Sequence, residues 1–182
     1  KATSPAGIKA QQDELCRILD RLKEVNINTV LLQTRVRGSV IYPSAIEPWD
    51  DCLTGTPGRA PGYDPLAFAV RECHKRGMEL HAWLVAIPCF KISAATRMGN
   101  RSVLKTHPKL CVRHGDSWYL DSGQPETADY LASLCREIAA NYDVDGIHFD
   151  YIRYPENAAK FNDASSYRKY GKRQNKADWR RD

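Results

Sequence analysis

At 182 residues, with 42% hydrophobic side chains and a net charge of +5, the chain is long enough for one globular domain with a substantial core. Its longest apolar stretches, such as 80–90, are interrupted by His81 and Pro88 and are too short to span a bilayer, so no transmembrane segment is expected. The positive charge is concentrated in Arg168, Lys169, Lys172, Arg173, Lys176, Arg180 and Arg181. No nucleic-acid-binding motif accompanies this run, so it reads as a solvated helix or loop and no nucleic-acid partner is expected.

Taken in chain order, 8–25 reads as an amphipathic helix, with Leu15, Ile18, Leu19, Leu22 and Val25 at three- and four-residue spacing. Asn26, Ile27 and Asn28 end it, and Thr29–Arg35 reads as a strand. Asp64 and Pro65 open a second helix, as N-cap and first-turn proline, which stops at Gly77. A second strand covers 79–86. The stretch 111–120, with His114, Gly115 and Asp116 at its centre, reads as a hairpin. Pro125 starts a third helix with a buried stripe of Leu131, Leu134, Cys135, Ile138 and Tyr142, and 146–152 is a third strand. Alternating helices and strands imply parallel strands with helical crossovers.

The connections are unequal. Helix-to-strand links are short, whereas 36–63 and 87–124 follow strands and exceed the roughly 12–15 residues beyond which a loop in a compact domain is usually functional. Both leave carboxyl ends of strands, where barrel and open α/β proteins place their sites. Alternation along the strands assigns Val30, Leu32, Leu80, Ala82, Leu84, Ile147, Phe149 and Tyr151 to the helix side. Gln33, Arg35, His81, Trp83, His148 and Asp150 then share the other face, and a polar, aromatic face of this kind suits a site.

Asp150 is the central candidate, because a carboxylate at a strand end can act as nucleophile, base or electrostatic stabiliser of an oxocarbenium-like centre. Asp145 starts the same strand, and five residues of extended chain set the two about 16 Å apart. Paired glycosidase carboxylates span roughly 5–9.5 Å, so Asp145 is excluded as the partner. Asp121 could reach the same rim, or serve a turn or N-cap. Nothing in the sequence separates Glu47 from Asp50 in the first long loop. His81 and His148 suit hydrogen bonds to sugar hydroxyls, and Trp83, Tyr42, Trp49, Tyr151 and Tyr154 are candidate sugar-stacking surfaces, each with simple packing as the alternative.

The six cysteines form no C-x-x-C pair, so no metal site is expected from them. Cys16, Cys73 and Cys135 fall on the helix stripes and read as small buried hydrophobes. A phosphate-binding glycine loop, an H-E-x-x-H and a G-x-S-x-G element are all absent from the sequence, which leaves no cofactor to expect. No signal peptide is recognisable at Lys1.

Four phrases carry a family resemblance: LLQTRVRGSVIYPSAIEPW at 31–49, DPLAFAVRECHKRGMELHAW at 64–83, YLDSGQPETADYLASLCREIAANYDVDGIHFDYIRYP at 119–155, and the final ADWRRD. Together they resemble glycosyl-hydrolase-like family 10, which is related to bacterial cell-envelope hydrolases, over nearly the whole chain. The resemblance implies an α/β fold of the (β/α)₈ TIM-barrel type and action on a polysaccharide, in some relatives peptidoglycan strands stripped of peptides. It also implies a periplasmic, cell-envelope or secreted location. It matches Asp150 to the aspartate of the family's HFD strand end, Arg35 to its Q-x-R strand, Tyr42 to its YPS element and His81 to its HAW element. More distantly, the HFD strand resembles the fourth strand of α-amylase-type barrels, whose terminal aspartate is the nucleophile.

Such barrels take roughly 250 residues, and three strands cannot close one. The expectation is therefore a single domain over 1–182 holding about three βα units, a partial barrel cut at both ends, whose open edges could self-associate. The functional reading is a glycoside hydrolase with Asp150 as catalytic carboxylate and Arg35, Tyr42, His81, Trp83, Asp121, His148, Arg153 and Tyr154 as substrate-binding residues, with no metal. A carbohydrate-binding module that has lost catalysis is the alternative, distinguished by binding that is indifferent to Asp150→Asn. A polyanion-binding protein driven by the basic run is a third, and predicts affinity that falls steeply with salt.

Overall fold

The computed structural model describes residues 1–181. In chain order the elements are α1 (Pro5–Glu24), β1 (Thr29–Arg35), α2 (Asp51–Thr54), α3 (Pro65–His74), β2 (Glu79–Val85), β3 (Pro88–Lys91), α4 (Val103–Thr106), β4 (Cys111–His114), β5 (Ser117–Leu120), α5 (Pro125–Asn141), β6 (Gly146–Asp150), α6 (Ala164–Tyr170) and α7 (Lys176–Trp179). The strands form two three-stranded sheets: a parallel one, β1-β2-β6, and an antiparallel one, β3-β5-β4. Helices α1, α3 and α5 connect or precede the parallel strands, the arrangement of consecutive βα units in a partial α/β barrel.

Local chemistry sets the boundaries. Ser4 caps α1 by accepting from the Gly7 N–H at 3.2 Å, with Pro5 in the first turn. The helix therefore starts before Ile8, because periodicity alone overlooks a Ser-Pro cap. Asp64 accepts from the Ala67 N–H at 3.0 Å and caps α3 as expected. The hairpin β4–β5 turns at Gly115, whose φ of 58° suits a residue without Cβ.

The core lies between the parallel sheet and the helices. Leu80, Ala82 and Leu84 of β2 are 0% exposed and pack with Leu19 of α1, Leu66, Ala69 and Cys73 of α3, and Leu134 and Ile138 of α5. Each large aliphatic side chain buried this way stabilises the fold by about 1.5–3 kcal/mol. Cys73 is buried while Cys16 and Cys135 are partly so, and all six cysteines are free thiols. The opposite face of the sheet is open, with Leu31 44% exposed. At the amino ends of the strands, Asp145 accepts from the Leu80 N–H at 2.7 Å and contacts His74 Nε2 at 2.9 Å. It ties β6 to β2 far from the other strand ends.

Two features depart from the sequence reading. Residues 88–91 form a strand within what reads as a loop. The basic run is not wholly solvated: Arg180 grips the fully buried Asp163 with Nε and Nη2 at 2.7 and 2.9 Å, and Lys176 Nζ lies 2.6 Å from it. Arg180 also donates to the Ala158 and Phe161 carbonyls. The closing segment is thereby clasped to the loop that follows β6.

Burial alone would raise the Asp163 pKa, but hydrogen bonds and charge from Arg180 and Lys176 outweigh it and hold the carboxyl below its usual value. A depressed folded pKa gives stabilisation that is full above the unfolded value of about 3.9 and is lost as pH falls through the lower folded value. Asp163→Asn will cost about 1.5–3 kcal/mol near neutrality, and the gap in melting temperature from the parent will close below about pH 4. A gap independent of pH in parallel thermal melts would contradict the clasp.

Candidate active site

Register fixes what each strand presents. Trp83 pairs with His148, His81 with Gly146 and Val85 with Asp150, and paired residues in a parallel ladder share a face. Asp150 is thus at the mouth of the open face. Trp83 and His148 form the next layer, with their rings 6.3 Å apart edge to face. His81 lies a layer deeper, over Gly146, where a Cβ would approach its Nδ1 to 2.6 Å. Two residues of strand put His148 about 7 Å from Asp150 along the sheet, and four put His81 at the level about 13 Å away. His148 is within reach of a sugar bound at Asp150. His81, which contacts Glu79 Oε2 at 3.2 Å, is not.

Arg35 does not share this face. The β1–β2 register shifts between Gln33 and Arg35, so that Gln33 pairs with Trp83 but Arg35 pairs with Leu84. The irregularity at Thr34 turns Arg35 to the helix side. There it is 0% exposed and forms a two-pronged ion pair with Glu47, Nε to Oε2 at 2.9 Å and Nη2 to Oε1 at 2.7 Å. It also donates to the carbonyls of Val85 and Ala86, and Tyr130 donates to Glu47 at 2.8 Å. Burial would lower the Arg35 pKa, but the Glu47 charge raises it overall.

Tyr42 is likewise buried, donating to Glu137 of α5 at 2.9 Å beside Ser44 Oγ at 2.6 Å and the Ala45 N–H at 2.7 Å. Asp121 is buried before α5, where it accepts from Ser166 Oγ and from the Gly123 N–H at 3.0 Å. Burial raises its pKa, with these bonds acting in the opposite direction. Asp50 caps α2 and accepts from Ser39. Arg35, Tyr42 and Asp121 are therefore buried within the fold by their own partners rather than presented on the open face.

Arg153 and Tyr154 do come together, in a cleft just beyond the strand end that carries Asp150. The Asp150 carbonyl accepts from the Ala86 N–H at 2.8 Å, and its Oδ1 accepts from the Tyr151 N–H at 2.7 Å. Tyr151 has φ 49°, a genuine outlier for a bulky residue, of the kind that concentrates at functional sites. The guanidinium groups of Arg37 and Arg153 lie 6.0 and 5.4 Å from the centre of its ring, within the range of cation–π attraction. Beside Asp150 these residues border a cleft of ≈240 Å³, walled by Arg37, Tyr151, Arg153 and Tyr154 on one side and by His114 and Tyr119 of the hairpin on the other. Asp150 does not line the cleft; it supports the wall through Tyr151.

Arg37, His114 and Tyr119 are not apparent from the sequence. The hairpin pattern is a usable signal for His114, since it places that residue near a loop tip at the strand ends. Tyr154 is set by the clasp, donating to Asp163 at 3.3 Å with Arg180 stacked 4.8 Å from its ring centre.

The cleft also contains Glu156, 3.1 Å from Arg153 Nη1, and Asp116. Ser117 first and Lys91 second hold the Asp116 carboxyl below its usual pKa, which is the wrong direction for a proton donor at neutral pH. No group of three or more His, Cys, Asp or Glu side chains is placed to hold a metal ion among the described residues. No helix among them is long and apolar enough to cross a membrane.

Comparison with known proteins gives the geometry a context. The family described as Glycosyl hydrolase-like 10 matches residues 6–182. The chain is 40% identical over 187 residues to glycosyl hydrolase DigH of Escherichia coli K12, covering 95% of this chain and 42% of that protein. It is 35% identical over 184 residues to glycosyl hydrolase YngK of Bacillus subtilis 168, covering 97% and 36%. The chain thus spans about two fifths of the length of these relatives.

Among solved structures, a hypothetical protein from Ruminiclostridium thermocellum superposes with a TM-score of 0.58 at 17% identity, over 86% of this chain and 82% of that one. The maltogenic α-amylase AmyB of Thermotoga neapolitana superposes with a TM-score of 0.53 at 18% identity, over 88% and 38%. At such identities the structures speak to fold alone, and that fold is the TIM barrel.

Proposed function

The chain belongs to the glycosyl hydrolase-like 10 family, and from that premise we propose that it carries the catalytic carboxylate, Asp150, of a glycoside hydrolase acting on a cell-wall or related polysaccharide. The observation that carries the reading is the position of Asp150, at the carboxyl end of a parallel strand, on the open face, beside a cleft of aromatic rings and guanidinium groups. Aromatic faces suit the apolar C–H faces of pyranose rings, and arginines donate to ring hydroxyls. In this reading Tyr151, Arg153 and Tyr154 hold the glycan at the rim, while His148 and Trp83 meet it below Asp150. The Asp150 carboxylate attacks or stabilises the anomeric carbon as the glycosidic C–O bond breaks, and the departing oxygen takes a proton from a second acid or from water. A substrate of that kind would place the protein in the cell envelope.

A carbohydrate-binding module is the second reading, favoured by one observation: the cleft of aromatic rings and guanidinium groups is not lined by Asp150. The test is release of new reducing ends by the complete gene product from a glycan panel that includes peptide-free peptidoglycan strands. Hydrolysis of at least one substrate is expected. Binding without any product would overturn the hydrolase reading in favour of the module.

A further inference from the structure

On the flank of the hairpin, a second groove of ≈910 Å³ runs between β4 and α6. Strand β4 is the edge of its sheet and pairs only with β5. The Asp121 N–H donates to the Leu110 carbonyl at 2.7 Å, which fixes the hydrogen-bonding pairs on this ladder as Val112–Tyr119 and His114–Ser117. Arg113 therefore directs both its N–H and its C=O away from β5, and Cys111 directs its C=O the same way; the Cys111 N–H is occupied by Pro108. Residues 109–113 line the groove, so these main-chain groups border it. An exposed edge of this sort is a template for an added strand.

The rim is cationic. Lys109, Arg113 and Lys169 are exposed and form no ion pair among the described residues. The groove also holds Glu126, whose charge acts on Lys169, and the buried Asp121, whose two oxygens already accept from Ser166 and Gly123. We infer that this groove is a docking site for an extended acidic peptide segment, which adds to β4 through main-chain hydrogen bonds and pairs its carboxylates with Lys109, Arg113 and Lys169. Strand addition gives affinity through the backbone and specificity through alternate side chains. The inference is independent of glycan hydrolysis.

The test is an amide-resolved NMR titration of the chain with the probe acetyl-Glu-Val-Glu-Val-Glu-amide, with the all-lysine analogue and a neutral oligosaccharide as controls. The acidic probe should shift the amides of residues 110–114, and its affinity should fall with added salt. Arg113→Pro removes the outward N–H at an edge position that tolerates proline, together with one of the three rim charges, and should weaken the probe by about tenfold or more, the equivalent of at least one net hydrogen bond. The paired change Lys109→Glu and Lys169→Glu reverses the rim and should transfer preference to the lysine probe, which decides the matter even if the proline variant does not fold. Absence of shifts in β4, equal response to both peptides, unchanged affinity in folded Arg113→Pro, or shifts at β4 with the oligosaccharide alone would each overturn the inference.

Discussion

Replacing Glu47 by alanine will lower the unfolding free energy by about 3–5 kcal/mol, the cost of leaving one member of a buried ion pair uncompensated. Both side chains of the Arg35–Glu47 pair are 0% exposed. Without Glu47, the Arg35 guanidinium keeps the Val85 and Ala86 carbonyls but no carboxylate, and the Tyr130 hydroxyl loses its acceptor. Most of the loss comes from holding a desolvated charge with no counter-charge beside it. The paired replacement Arg35→Met with Glu47→Leu removes both charges and should cost far less, since apolar substitutes for buried pairs are often neutral. Urea midpoints for the parent, single and paired variants measure this. Equal losses in the single and paired variants would show that packing rather than charge holds the loop. The pair also bears on the site, because Ala86 links Arg35, through its carbonyl, to Asp150, through its N–H.

The second large effect is on chemistry. Asp150→Asn will reduce glycan hydrolysis by about 10³-fold or more, in the range seen when a group that acts on the reacting atoms is neutralised. The substitution is well chosen for this site. An asparagine oxygen still accepts from the Tyr151 N–H, so the left-handed turn at Tyr151 and the cleft wall it forms keep their support. What is lost is the negative charge at the strand end. Asp150→Ala would confound the two effects, since it also frees that N–H.

Much of the fold was legible because hydrophobic periodicity and caps agreed. Asp64-Pro65, the α5 stripe and the alternation in β2 each report local geometry that the structure retains. The face of His81, Trp83, His148 and Asp150 followed from the same alternation. Arg35 did not, because a single irregularity at Thr34 reverses every side chain beyond it, and no residue type at that position announces it. Strand β3 was hidden because it is four residues long and begins with proline, a signal that demotes a strand from sequence. Glu47 was indistinguishable from Asp50, since the partner of a loop carboxylate is a property of three-dimensional packing. The same holds for Lys176 and Arg180, whose sequence context shows a charge run but not the buried Asp163 they enclose. Arg37 and Tyr119 reach the cleft from separate long connections, and nothing local to either says that they meet.

The most direct measurement is the rate of reducing-end release by the complete gene product and by its Asp150→Asn variant, on the best substrate of the panel, with the fold of both checked by their urea midpoints. Equal midpoints with a loss of about 10³-fold or more in the variant is the result predicted for a catalytic carboxylate at the end of β6. Equal midpoints with rates within a few-fold of each other would contradict it and remove Asp150 from the reaction.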